Sequence, residues 1–349
     1  MRTFTLQRAT DAHDAVGKGT PGAASRAMAE AASPSVLAPV QYLAGGTNVL
    51  DLMKLDVMRP ACLVDINDLS AMHGAISLDE RGLHLGALTR MAEAARHPVV
   101  VDNYPAIAES LTQAASAQLR NMASLGGNLL QRTRCNYFRD TSWTACNKRN
   151  PGSGCAARDG VNRRNAILGA SESCIASYPG DFAIALIAID ATLTVQTPDG
   201  TARQMPLAAL HRGPGDAPHI ETTLAAGELI TAITVPPGPW TRRSRYLKIR
   251  DRASYDFALA SAAVALHLGA DRTVIDARIG LGGLVARPWR AHDAEAALRG
   301  RVLDEAAATE AARIAFASAD AFGEMDFKPD LGRRTLVRAL LETAALPVA

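Results

Sequence analysis

The stretch from Leu125 to Cys174 constrains this chain more than any other, because it is too long and too polar to order itself without help. It opens with Leu125-Gly126-Gly127-Asn128 and continues through Asn, Arg, Gly, Pro and Ser, with neither a helical nor a strand-like apolar period. Ordered loops of this length inside a compact domain are uncommon unless they serve a function. Four cysteines fall within it, Cys135, Cys146, Cys155 and Cys174, separated by 10, 8 and 18 residues. Clustered thiols point to a metal centre, whose binding would offset the entropy of ordering the loop.

The thiols admit three readings. Disulfides suit small exported domains that carry cysteines throughout, whereas here the fifth, Cys62, is the only one outside the stretch. Structural zinc sites pair their ligands at two- to four-residue spacing, which none of these gaps matches. Four thiolates also suit a [4Fe–4S] or [2Fe–2S] cluster, although the short Cys-x2-Cys signature is absent. The residue pattern alone leaves all three open.

With 349 residues, 48% of them hydrophobic and 21% charged, the chain can build two or three domains with real cores. Its longest apolar run, Phe182 to Ile189, is far shorter than the roughly 20 residues of a membrane helix, so no membrane span is expected. Met1 to Val16 is too polar for a secretory leader, and a cytoplasmic start is expected on that ground. Formal net charge is only +2, yet Gln118 to Arg164 holds nine Lys or Arg against Asp140 and Asp159. Only Tyr137, Phe138 and Trp143 could stack on bases there, and no nucleic-acid-binding motif accompanies them; a nucleic-acid partner is not expected. The basic segment reads as a solvated loop, or as a surface that offsets an anionic cluster or docks an acidic partner.

In chain order, Thr3 to Leu6 and Asp11 to Val16 read as strand then helix, followed by an Ala/Gly/Ser/Pro-rich insert with a helix expected at Ala23 to Ala32. Val40 to Leu43 is a strand that ends in Ala44-Gly45-Gly46-Thr47-Asn48, after which Val49, Leu50, Leu52 and Met53 form an apolar helical face and Asp51 and Lys54 a polar one. A strand, a double-glycine turn and a helix start together suit a phosphate: glycines permit close backbone approach, and the free amides of the helix point at the anion. Neither standard nucleotide-binding glycine signature occurs, but Leu125 to Asn128 supplies a second such turn, and two turns can clasp one pyrophosphate. Strands are expected at Leu63 to Ile66, Ala75 to Leu78, Leu83 to Leu85, Ala191 to Gln196, Ala202 to Met205 and Glu228 to Val235; helices at Thr89 to Arg96, capped by Thr89, and from Pro105 to Ala115. Pro236-Pro237-Gly238-Pro239 marks a boundary, beyond which three antiparallel strands precede three helices, an α+β pattern without internal repeat.

Several of these segments resemble the FAD-binding subunits of the molybdenum hydroxylases, the xanthine dehydrogenase family: Ala44 to Asn48, Arg120 to Asn128, Asp181 before an apolar helix, Tyr246-Leu247-Lys248, and Gly280 to Pro288, in that order. The resemblance runs from about Thr3 to the C-terminus. It implies an α+β chain with a two-part FAD-binding domain of the vanillyl-alcohol-oxidase (PCMH) type over residues 1–238, and a smaller α+β domain like that of the CO dehydrogenase flavoprotein over 240–349. The cysteine segment, about 132–175, looks like an insert found in the periplasmic aldehyde oxidoreductase subtype, which implies that the four cysteines ligate an extra [4Fe–4S] cluster.

Carried over residue by residue, the resemblance puts Ala44, Gly45, Gly46, Thr47, Asn48, Val49, Leu50, Asp51 and Leu52 around the FAD pyrophosphate from one side, and Asn121, Ser124, Gly126, Gly127 and Asn128 from the other. It places Asp181, Ile230 and Lys248 at the ribityl chain and isoalloxazine. Read alone, those three are a helix first-turn acid, a core residue and a strand lysine, and Cys62 is a small buried hydrophobe. No [2Fe–2S] or molybdopterin unit is recognisable, so both are expected on partners, a molybdopterin-binding large subunit and a [2Fe–2S] small subunit. The implied role is electron transfer: a partner oxidises an aldehyde, and this subunit passes the electrons to an external acceptor. A self-contained flavin oxidase of the same fold and a zinc-stapled binding protein are the alternatives. Related subunits are exported folded with a partner that bears the signal, which implies the periplasm, with the cytoplasm as the alternative.

Overall fold

The computed structural model describes residues 1–20 and 35–347; the helix expected at 23–32 lies outside the described residues. Twelve strands among them form three sheets. β1 (Thr5–Arg8), β2 (Val40–Leu43) and β3 (Cys62–Asp65) make a parallel sheet in the order β1-β3-β2. β4 (Ile76–Asp79), β5 (Gly82–Gly86), β6 (Thr192–Gln196), β7 (Ala202–Pro206) and β8 (Leu229–Val235) make an antiparallel sheet ordered β4-β5-β8-β6-β7. β9 (Ser244–Ile249), β10 (Ala260–Leu268), β11 (Val274–Gly282) and the two-residue β12 (Trp289–Arg290) form the third, ordered β12-β11-β10-β9 and covered by helices His292–Leu298 and Lys328–Ala344, on both of which the helix Glu305–Ala315 packs. The architecture is α+β, as expected. No helix among the described residues is long and apolar enough to cross a membrane.

One helix joins the last two sheets. After its first residue Asp181–Ala188 is apolar all round, and every one of its residues is buried, as a helix between two layers must be. It lies so close to β11 that a Cβ at Gly280 would stand 2.4 Å from the Ile184 carbonyl oxygen. Glycine at this strand position is therefore a packing requirement rather than a turn.

Two local expectations are corrected. Thr89 does not cap a helix from 89 to 96. The helix is only Met91–Ala94, preceded by Arg90, and the Thr89 hydroxyl donates to the Gly74 carbonyl instead. Leu125 to Asn128 is not a turn but the start of the helix Leu125–Leu129, whose N-cap Ser124 accepts at Oγ from the Gly127 amide at 3.2 Å.

Lys328 ties the cysteine segment to the third sheet. It is fully buried, and its Nζ donates to the carbonyls of Asn165 (2.5 Å) and Gly283 (3.2 Å). Burial, reinforced by Arg163 and Arg164, pushes its ammonium down from 10.5 to about 7. A depressed folded-state value gives a contribution that is complete above about pH 10.5 and lost as pH falls through about 7. Stability is therefore expected to climb through that window by at most roughly 1.4 kcal/mol per pH unit from this group. Lys328→Met should flatten the climb, read as denaturant midpoints at successive pH values.

Candidate functional site: a glycine-walled cleft beside a cysteine cavity

A cleft of about 390 Å³ is walled by Ala44 to Val49 on one side and by Ser124, Gly126 and Gly127 on the other. Ile230 on β8 faces it, and His211, His219 and Arg287 contribute from later in the chain. The two glycine segments touch. A Cβ on Gly45 would lie 1.8 Å from the Met122 carbonyl oxygen, so the loops meet backbone to backbone only because position 45 has no side chain. Gly46 has φ +72°, the left-handed region that lets the strand β2 bend into the helix Val49–Lys54.

Two residues without any sequence signal hold both loops in register. Asn67 Nδ2 donates to the Ala44 carbonyl at 2.9 Å, while Arg90 donates to Asn67 Oδ1 at 2.7 Å and to the Met122 carbonyl at 2.6 Å. The helix Leu125–Leu129 is fastened from beneath by its own amides, Leu125 to the Thr89 carbonyl and Gly126 to the Ala87 carbonyl.

Several residues that the family resemblance assigned to the cofactor stand behind the cleft rather than in its wall. Leu52 is fully buried with Phe138 and Cys146. Leu50 packs beneath Gly46. Asp51 pairs with Arg139 at 2.7 Å and Arg134 at 3.2 Å, anchoring the cysteine segment; burial raises its carboxyl, but the two guanidinium groups outweigh that and hold it below its usual range. Asn121 is exposed on the helix Ala117–Met122, and Asn128 points its Nδ2 at Met91 Sδ. Asp181 and Lys248 form a buried pair at 2.8 Å, joined by the Tyr246 hydroxyl at 2.6 Å from Asp181 Oδ1 and by the Gln113 carbonyl at 3.1 Å from Lys248 Nζ.

The four cysteines of the segment come together. Cys135, Cys146, Cys155 and Cys174 line one small cavity, whose wall includes Lys148 and Ala176; both of these also line the glycine cleft. All five cysteines are free thiols. Cys155 and Cys174 share a hydrogen bond that pushes Cys155 down to about 6 and Cys174 up, while burial pushes Cys135 up to about 11. Among the described residues no group of three or more His, Cys, Asp or Glu side chains is arranged to hold a metal ion as the side chains stand. Cys62 lies away from the cavity on β3, half-buried.

The cleft wall also contains buried polar atoms without a hydrogen-bond partner: Asn48 Nδ2, His211 Nδ1 and both ring nitrogens of His219. Burial pushes His211 down to about 4, so it is a neutral imidazole at pH 7; its Nε2 bonds the Leu129 carbonyl at 2.9 Å, and its ring lies edge-on to Tyr178. Unpaired buried polar atoms beside glycine amides fit a polar, phosphate-bearing ligand.

The chain belongs to the family of FAD-binding subunits of the molybdopterin dehydrogenases. Residues 21–238 match the FAD binding domain in molybdopterin dehydrogenase, and residues 245–348 the CO dehydrogenase flavoprotein C-terminal domain. The chain is 44% identical to the aldehyde oxidoreductase FAD-binding subunit PaoB of Escherichia coli K12, across 91% of this chain and 96% of that one. It is 25% identical to the carbon monoxide dehydrogenase medium chain of Hydrogenophaga pseudoflava, across 86% and 88% of the two chains. The same fold recurs in quinoline 2-oxidoreductase from Pseudomonas putida 86 (TM-score 0.70, 22% identity, 98% and 97% of the two chains) and in CO dehydrogenase from Oligotropha carboxidovorans (TM-score 0.71, 22%, 99% and 98%). The chain is thus a subunit of an oxidoreductase, and FAD is the cofactor its first domain binds.

Proposed function

We propose that this chain is the FAD- and [4Fe–4S]-containing electron-transfer subunit of a molybdenum-dependent aldehyde oxidoreductase. In this reading it works beside a molybdopterin-binding large subunit and a [2Fe–2S] small subunit, dividing into an FAD-binding domain to residue 238 and a C-terminal domain from 240. The observation that carries the proposal is the shared wall. Four cysteines from one segment line a cavity that meets the glycine cleft at Lys148 and Ala176. A cluster is itself several atoms across, so its four ligands need not converge on one point as zinc ligands must. The 44% identity to a subunit named for aldehyde oxidation favours an aldehyde as the substrate of the complex.

When bound, FAD accepts electrons singly or in pairs and passes them to an acceptor. This chain's residues would supply position and charge. Residues 44–49 would hold the pyrophosphate through backbone amides and the Thr47 and Asn48 side chains, with Leu50, Asp51 and Leu52 supporting that turn from behind, while Ser124, Gly126 and Gly127, whose wall carries no Cβ at the glycines, would let the group approach closely from the other side. Asn121 and Asn128 would brace the second glycine segment, Ile230 would pack on the cofactor, and Asp181 and Lys248 would fix the buried helix behind it. Cys135, Cys146, Cys155 and Cys174 would hold the cluster. We place the assembled complex in the periplasm, exported folded with the partner that bears the signal.

The test is spectroscopic. The purified complex should show flavin bands on a broad iron–sulfur shoulder, and adding an aldehyde without air should bleach the flavin, whereas the isolated subunit should keep its flavin oxidised under the same treatment. Rapid bleaching of the isolated subunit would mark a flavin oxidase instead.

A further inference from the structure

Beyond the two glycine segments, part of the cleft wall is an excursion between Leu210 and β8. Residues 211–222 fold back on themselves, His211 pairing with Thr222 and the Arg212 amide donating to the Glu221 carbonyl at 2.9 Å. The excursion presents His219 to the cleft with both ring nitrogens unpaired. Its attachments run to the cysteine segment. Glu221 Oε1 accepts from Lys148 Nζ at 2.8 Å, and Oε2 is paired with Arg132. Lys148 Nζ also donates to the Pro218 carbonyl at 3.1 Å, and Ser171 Oγ to the Gly215 carbonyl at 2.8 Å.

The residues that hold this wall also belong to the thiol cavity's surroundings. Lys148 follows Cys146 by two positions and lines both cavities. Arg132 begins the same segment and stacks over Phe138, which lines the thiol cavity. The segment has little apolar period with which to order itself, as its sequence makes plain, so a group that fills the thiol cavity would add to the packing that holds Arg132 and Lys148 in place. Both cations meet on Glu221. An ion pair held on both sides by ordered backbone retains its geometry; the same pair tethered to a loose loop does not.

We propose that Glu221 is a positioning residue that fastens the 211–222 excursion onto the cysteine segment, so that filling the thiol cavity closes the flavin cleft and emptying it releases flavin. The inference rests on the reading of the cleft as the flavin site and of the thiols as cluster ligands. It makes the metal centre a determinant of flavin retention, separate from any part it plays in electron transfer. Each side would stabilise the other, because coupling between two sites is reciprocal.

The experiment follows flavin release from the purified complex after dilution, by the rise in free-flavin fluorescence, with iron assayed on the same samples. Glu221→Gln should speed release at least about tenfold in samples that still hold their iron, and Glu221→Asp, which keeps the charge, should restore most of the retention. Cys174→Ala should speed release in the wild-type background and add little in the Glu221→Gln background. Release from Glu221→Gln at the wild-type rate, or a full additional effect of Cys174→Ala in that variant, would overturn the proposal. Amide hydrogen exchange over 211–222 in wild-type protein before and after iron removal needs no variant: faster exchange after removal is expected, and identical exchange overturns the coupling. Wild-type protein that never holds iron would instead sink the cluster reading, leaving the Glu221→Gln comparison as a test of the wall alone.

Discussion

If the four thiols hold the proposed cluster, replacing Cys135, Cys146, Cys155 or Cys174 by alanine is expected to abolish iron binding, while Cys62→Ala leaves the iron content unchanged. The contrast follows from placement. The four insert cysteines line one cavity, and Cys62 sits on β3 with its Sγ directed at the Leu63 carbonyl. In anaerobically purified wild-type protein the expected content is about four iron and four acid-labile sulfide per chain for a [4Fe–4S] centre. Loss of one ligand removes a thiolate that no nearby residue replaces, because the cavity's other lining groups include Tyr137, Phe138, Ala156 and Ala157 rather than further acids or imidazoles. On the cluster proposal the segment should then lose part of its order, seen as faster proteolysis between 135 and 174, because its ordering would be coupled to binding the cluster. Wild-type protein with neither iron nor sulfide would overturn the assignment of these four thiols.

How much of this was legible in the sequence depends on whether the determinant is local. The strands β2, β3, β6 and β7 and the helices after Pro105 and Asp181 were readable, because each carries its own period and its own breaker. The place of β8 between β5 and β6 was not: it pairs with strands 150 and about 40 residues earlier, and no short-range pattern encodes that. Leu125 to Asn128 read as a turn because two glycines disfavour helix, yet Ser124 supplies the cap and Ala87 and Thr89 accept its first amides, so tertiary contacts override propensity. Ala44 to Asn48 and the second glycine segment were found as a pair. Asn67 and Arg90, which hold that pair together, and His211, His219 and Glu221, which complete the wall, were not, being isolated polar residues in no motif. The four cysteines were legible as a group by confinement to one stretch, but only the fold brings gaps of 10, 8 and 18 residues to one cavity.

Lys248→Met is expected to destabilise the protein by about 3–5 kcal/mol, the usual result of removing one partner from a buried ion pair and leaving the other charge in place. Side-chain exposure is 1% for Lys248 and 5% for Asp181, so solvent offers neither a substitute partner. Burial raises the Asp181 carboxyl above its usual range even with Lys248 and the Tyr246 hydroxyl opposing that shift. A raised folded-state value favours the protonated form, so its contribution is present at low pH and is lost as pH rises through that value. Without the lysine the carboxyl should rise further, and the deficit of Lys248→Met should therefore be smallest in acid and grow toward neutral pH. Asp181→Asn combined with Lys248→Met should recover much of the loss, because the orphaned charge is gone. Chemical denaturation of the four proteins at two pH values reads the cycle, and flavin content measured on the same samples separates a supporting role from direct contact with the cofactor. If the pair acts by holding β9 against the helix Asp181–Ala188, flavin retention will track stability across the cycle. Lys248→Met protein of wild-type stability that has lost its flavin would assign the ammonium to the cofactor itself, where a cation beside the ring would favour the reduced anion.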